Sequence, residues 1–94
     1  MLFVAEHTHP ASKCPMTMPG GKEMIMGLFS EDHIKSEGIG LVGAYMSCPN
    51  NEGAIHKGYF IIDAPNEESI NKFFGPMEVE IREVKPFSEI AKTL

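Results

Sequence analysis

The order in which strand-like and helix-like segments follow one another is the feature that most constrains this chain. Four short segments are rich in apolar and β-favouring residues and end at turn-forming residues, as strands do. Two further segments carry apolar residues at helical spacing. The predicted strands span residues 2–7, 41–48, 54–63 and 77–84, and the predicted helices span residues 22–36 and 67–74. The sequence therefore predicts the order β-α-β-β-α-β.

The two predicted helices differ in how well their ends are marked. Asn66 is a suitable N-cap for the second helix, and Gly75 followed by Pro76 stops it. In the first helix Gly27 weakens the pattern, and the alternative is that Ser30 caps a separate second segment. The tail leaves two alternatives open, an irregular end or a short helix over residues 88–92.

This order within 94 residues predicts an α+β protein with a ferredoxin-like arrangement in one domain spanning residues 1–94. The expected antiparallel sheet has the strand order 4-1-3-2, with two helices covering one face. The other face keeps apolar positions, and a small domain cannot leave such a face in water without cost. We therefore expect a homodimer formed through the open face of the sheet.

Two stretches in the second half of the chain resemble the dimeric α+β barrel superfamily. Residues 58–70 consist of an apolar strand, an Ala-Pro-Asn step and an amphipathic helix, and residues 73–84 resemble the closing helix end and last strand of that group. The resemblance, mainly over residues 54–84, implies a ferredoxin-like fold and dimerisation. The superfamily includes cofactor-free monooxygenases, isomerases, haem-binding enzymes and small metal-responsive proteins, so the resemblance implies little about chemistry.

Composition excludes several classes of partner. The net charge is −5 and Arg82 is the single arginine, so a nucleic-acid-binding surface is not expected. No apolar run approaches the ~20 residues of a membrane-spanning helix. The first six residues lack the basic region of a signal peptide, which predicts a soluble cytoplasmic protein with free cysteines.

Histidine and sulfur side chains mark the end of the first predicted strand. His7 and His9 are two residues apart, so both point to the same face of the strand. The proline-rich loop that follows adds Cys14, Met16 and Met18. Imidazole and thiolate are ligands for Cu, Ni and Zn, and thioethers favour Cu(I). The alternative is that the histidines are ordinary polar strand-end residues and that the methionines fill gaps in a core.

The expected topology adds ligands from two other strands. Antiparallel pairing of the first and third strands brings His56 beside His7 and His9, and the hairpin brings Cys48 to the same edge. The sequence therefore predicts that His7, His9, His56, Cys14 and Cys48 bind a transition metal (Cu, Ni or Zn) or a haem iron. Each cysteine precedes a proline, and the alternative is that these Cys-Pro dipeptides are ordinary turn signals with no role in binding.

Two other functions are compatible with the sequence. Tyr45, Tyr59, Glu6 and Arg82 are candidates to line the barrel side of the sheet in a cofactor-independent isomerase or monooxygenase, which would act on a small organic substrate. The alternative role of the tyrosines is to bury area at a dimer interface. A purely structural or interaction module is the third possibility.

Overall fold

A computed structural model describes all of residues 1–94. It contains four β-strands, four α-helices and two short 3-10 turns. The strands are β1 (Leu2–Pro10), β2 (Gly40–Ser47), β3 (Ile55–Asp63) and β4 (Glu80–Val84). The helices are α1 (Gly21–Leu28), α2 (Glu31–Ser36), α3 (Glu67–Phe74) and α4 (Phe87–Ala91), and the 3-10 turns span Ala11–Lys13 and Pro15–Thr17. None of the helices has the length and apolar character that a membrane crossing requires.

The four strands form one antiparallel sheet in the order β2-β3-β1-β4. The prediction of an α+β fold with a four-stranded antiparallel sheet is therefore confirmed. β1 lies between β3 and β4, and its register with β3 places His9 directly opposite His56. This pair is the point at which the sheet contributes to the candidate site.

The prediction of two helices is wrong, because the structure has four. The segment predicted as one helix over residues 22–36 is two helices, because the Ser30 side chain caps α2 by accepting a hydrogen bond from the His33 backbone N–H at 3.2 Å. The cap stabilises a new helix start, and the first helix ends at Leu28, two residues before Ser30. The tail also forms α4, so the short helix was the correct alternative there.

The first strand is longer than predicted, and this difference matters for the site. Its pairing with β3 continues to Pro10, which lies opposite Ile55. The predicted end at His7 rested on the downstream proline, but Pro10 has an extended φ of −63° that a final strand residue tolerates. Because the strand continues, His7 and His9 both lie within it.

One face of the sheet and three helices enclose the hydrophobic core. Phe3 and Ala5 of β1 and Phe60 and Ile62 of β3 alternate toward this face, as the period of two requires. The helices contribute Leu28, Ile34, Ile70, Phe73 and Phe74, and the junction between α1 and α2 contributes Phe29. By the same alternation, His7 and His9 continue the face of Phe3 and Ala5, and His56 continues the face of Phe60.

Candidate metal centre

The structure brings three of the predicted ligands to one point. His9 is at the end of β1, His56 is at the start of β3, and Cys14 lies between the two 3-10 turns. Their donor atoms all lie within 4.8 Å of one another. Tetrahedral ligands at about 2.0–2.3 Å from an ion stand roughly 3.3–3.8 Å apart. Small side-chain rotations therefore suffice to close the three donors around one ion.

Backbone hydrogen bonds fix the position of Cys14. Its N–H donates to the Ala11 carbonyl at 3.2 Å, and its carbonyl accepts from the Thr17 N–H at 3.0 Å and from the Thr17 hydroxyl at 2.8 Å. The Ala11 N–H in turn donates to the Ala54 carbonyl at 2.9 Å, which ties the turn to the start of β3. The backbone of Cys14 is therefore held while its thiol, in a residue that is only 8% exposed, points to the two histidines.

The tautomer of His56 is set by a backbone carbonyl. Its Nε2 is 2.8 Å from the Pro49 oxygen. Because a carbonyl can only accept, Nε2 carries the proton and Nδ1 carries the lone pair of the neutral ring. That Nδ1 is buried and has no hydrogen-bond partner. A histidine that donates its second N–H to a carbonyl and turns its free nitrogen inward is the usual arrangement of a metal ligand.

His9 has no partner for either ring nitrogen, although both nitrogens are buried. Its pKa lies below the usual 6.5 because burial disfavours the charged ring, and because His7 and His56 add positive charge nearby when protonated. The His9 ring centroid is 5.2 Å from that of each neighbour. His9 is therefore held as a neutral imidazole, which is the form that binds a metal.

The unpartnered nitrogens carry an energetic cost. Leaving one buried polar group without a hydrogen bond costs about 1–3 kcal/mol. His9 and His56 together have three such atoms, all beside the Cys14 thiol. The unpaired nitrogens therefore cluster beside the thiol, an arrangement that is compatible with metal binding.

The other two predicted ligands lie outside this group of three. His7 is adjacent to His9, but its Nδ1–H donates to the Glu78 carbonyl at 2.7 Å, and its remaining nitrogen is not among the buried unpartnered atoms. Cys48 and Cys14 are both free thiols, but Cys48 is exposed whereas Cys14 is buried. Both residues line the cavity described next, so they border the three donors rather than complete them.

A cavity of about 360 Å³ adjoins the three donors. The histidines and cysteines form one part of its wall. The rest is mainly apolar and includes Met16, Ile25, Phe29, Met46, Phe60 and Met77. Gly58 allows the Met46 side chain to pack closely in this wall, since a Cβ at position 58 would lie 3.0 Å from the Met46 sulfur. Ile25 and Phe29, from the first predicted helix segment, are cavity residues that the sequence alone did not single out.

The residues of the enzymatic alternative lie on the opposite face of the sheet. Glu6, Tyr59 and Tyr45 occupy neighbouring register positions on β1, β3 and β2, and Arg82 pairs with Val4. Glu6 accepts a hydrogen bond from the Lys57 ammonium at 3.0 Å, which raises the pKa of that lysine. None of these four residues lines the cavity beside the metal ligands.

The lowered pKa of His9 predicts how the metal-free protein responds to acid. The unfolded chain binds a proton at His9 near pH 6.5, whereas the folded chain resists it to lower pH. The unfolded state therefore gains protons first, and stability is lost as the pH falls below 6.5 toward the folded pKa. We expect the Tm of the metal-free protein to fall over this range.

The control for this measurement is His9→Leu, which removes the titrating ring and its unpartnered nitrogens. This variant is expected to have a higher Tm than the parent at pH 7 without metal, and a shallower fall on acidification. A parent Tm that is unchanged or rises between about pH 7 and pH 5 would show that His9 is not held in its neutral form.

Comparison with models of protein families and with curated proteins finds no match to this chain.

Proposed function

We propose that this protein binds one late transition metal ion, Cu, Ni or Zn, through His9, Cys14 and His56. The observation that carries the proposal is the convergence of three donors with buried nitrogens that have no other partner. The hydrogen bond from His56 Nε2–H to the Pro49 carbonyl also supports the proposal, because it leaves the Nδ1 of His56 free to bind the ion.

The donor set determines the class of ion. One thiolate and two imidazoles are borderline to soft ligands, which suit Zn and Cu best, accept Ni, and do not suit Mg or Ca. Haem iron is less well supported, because a haem takes its protein ligands only along its axis, whereas these three donors surround one point. We also propose a reducing compartment such as the cytoplasm, in which Cys14 stays a free thiol and remains available as a ligand.

Titration of the metal-free protein tests the proposal. The protein, purified without a polyhistidine tag and stripped with a chelator, is titrated with Zn(II) by calorimetry and with Cu(I) against a competing chelator. We expect one tight site per chain, and proton release from the Cys14 thiol on binding. Binding no tighter than that of a denatured sample would contradict the proposal.

We further propose that the chain has the ferredoxin-like arrangement and dimerises through the open face of the sheet. The strand order and the packing of helices against one face support the first part. The second part is supported by the uncovered aromatic residues of the other face, where Tyr45 is 64% and Tyr59 is 38% exposed. Exposed aromatic residues of this kind are enriched at interfaces between proteins.

Light scattering after gel filtration tests the dimer with a matched pair of variants. Tyr45→Asp places a charge on the open face and is expected to convert the dimer into monomers. Met26→Asp makes the same kind of change at a side chain of equal exposure on α1 (63% against 64%) and is expected to leave the dimer intact. A parent protein that is monomeric at micromolar concentration would contradict the proposal.

A further inference from the structure

The cavity beside His9, Cys14 and His56 is larger than a single metal ion needs. A bound ion with its inner ligands occupies little of the roughly 360 Å³, and the remaining wall is mainly apolar. Pockets for small molecules begin at about 300 Å³ and combine an apolar wall with a few polar groups that fix orientation. The size and the lining of this cavity therefore match a small organic ligand.

The three protein ligands leave a coordination position vacant. Structural zinc sites are closed by four protein ligands, whereas sites with three protein ligands keep a fourth position for water or substrate. His7 and Cys48 also line the cavity, but neither belongs to the group whose donor atoms all lie within 4.8 Å of one another. The three donors and the apolar residues line the same cavity, so a molecule within it has access to the ion.

Charge balance determines what kind of donor the fourth position favours. A divalent ion held by the Cys14 thiolate and two neutral imidazoles keeps a net charge of +1. A charge buried in an apolar environment is costly unless it is paired. A ligand with one negative donor atom brings the centre to neutrality, and its apolar part then contacts the wall formed by Ile25, Phe29 and Met77.

We propose that the metal-loaded protein binds a small organic anion, with its negative head on the metal and its apolar body in this cavity. The inference rests on the proposed metal site. On binding, the head group replaces the water at the fourth position and forms one metal–ligand bond, the water leaves, and no electrons are transferred. Ligand affinity therefore depends on the metal for the head and on the cavity wall for the body.

A series of straight-chain carboxylates from acetate to hexanoate tests both dependences. The protein is loaded with Co(II) in place of Zn(II), because the visible spectrum of Co(II) reports directly on its ligands. We expect each added CH₂ to tighten binding by about fourfold until the cavity is full, which corresponds to about 0.8 kcal/mol per CH₂. Alkylammonium ions with the same tails are the matched control, and they are expected to leave the spectrum unchanged because they have no lone pair.

A second pair of variants locates the apolar part of the ligand. Ile25→Phe narrows the cavity and is expected to keep Co(II) binding while weakening hexanoate binding at least tenfold and sparing acetate. Met26→Phe introduces the same side chain at the next position, which does not line the cavity. This control variant is expected to bind Co(II), acetate and hexanoate as the parent does.

The outcomes separate this inference from the metal proposal. A protein that takes up neither Co(II) nor Zn(II) overturns the metal site itself. A protein that binds Co(II) but shows no response to carboxylates, or no gain in affinity with chain length, leaves the metal site standing and overturns the inference.

Discussion

Replacing Cys14 by serine is expected to lower the affinity for Zn(II) by more than 100-fold. Loss of an outer hydrogen-bond partner alone typically costs about 10- to 100-fold in metal affinity, and a lost thiolate ligand costs more because it removes both a bond and a charge. Cys48→Ser is the matched control. It makes the same change at a thiol that is exposed and outside the three-donor group, and it is expected to leave the affinity within about twofold.

The histidines provide a second matched pair for the same titration. His9→Ala is expected to weaken binding as severely as Cys14→Ser, whereas His33→Ala, on α2 and away from the site, is expected to have no effect. Far-UV circular dichroism of each variant checks that the fold is retained. Equal affinities for the Cys14 and Cys48 variants, or for the His9 and His33 variants, would mean that the metal binds elsewhere.

Metal is expected to raise the thermal stability of the protein by a large amount. An ion that binds only the folded state adds about 4 kcal/mol when its free concentration is a thousand times Kd. For a chain of this size, 1 kcal/mol corresponds to roughly 4–8 °C in Tm. We therefore expect Zn(II) to raise Tm by about 15–30 °C, less whatever the ion gains by binding the unfolded chain.

The Cys14→Ser variant is the control for this stabilisation. Its metal-free form is expected to melt within a few degrees of the parent, since a small buried side chain is replaced by one of similar size. Added Zn(II) is then expected to move its Tm little. A parent Tm that does not change with Zn(II), or a Cys14 variant that is stabilised as strongly as the parent, would contradict the assigned site.

Local signals explain what could be predicted of the fold. α3 begins where Asn66 accepts a hydrogen bond from the Ser69 N–H and ends at Gly75, which has a positive φ of 62°. Both signals lie within a few residues of the helix ends and are legible in the sequence. The split between α1 and α2 was harder to predict, because the cap at Ser30 competes with a continuous helical pattern of similar strength.

Long-range register explains what could not be predicted of the site. The sequence placed His9 and His56 at the same edge, but only the pairing of β1 with β3 puts them opposite each other. A shift of one residue would have turned one of them to the other face. The sequence could not separate Cys14 from Cys48 either, since both precede a proline and both were expected at the same end of the sheet.

The groups that orient the histidines were missed because they are backbone carbonyls. The oxygens of Pro49 and Glu78 accept from His56 and His7 respectively, and a carbonyl is present at every residue. No side-chain signal in the sequence marks them. Only the folded chain distinguishes His56, whose free nitrogen points to Cys14, from His7, which borders the three-donor group.

X-ray absorption spectroscopy of the Zn(II)-loaded protein tests the central claim most directly. The account predicts one sulfur ligand at about 2.3 Å and two imidazole nitrogens at about 2.0–2.1 Å, with a fourth light-atom ligand from water or an added carboxylate. The sulfur is expected to vanish in Cys14→Ser and to persist in Cys48→Ser. A zinc coordinated only by nitrogen and oxygen, or one that loses its sulfur in Cys48→Ser, would contradict a centre built from His9, Cys14 and His56.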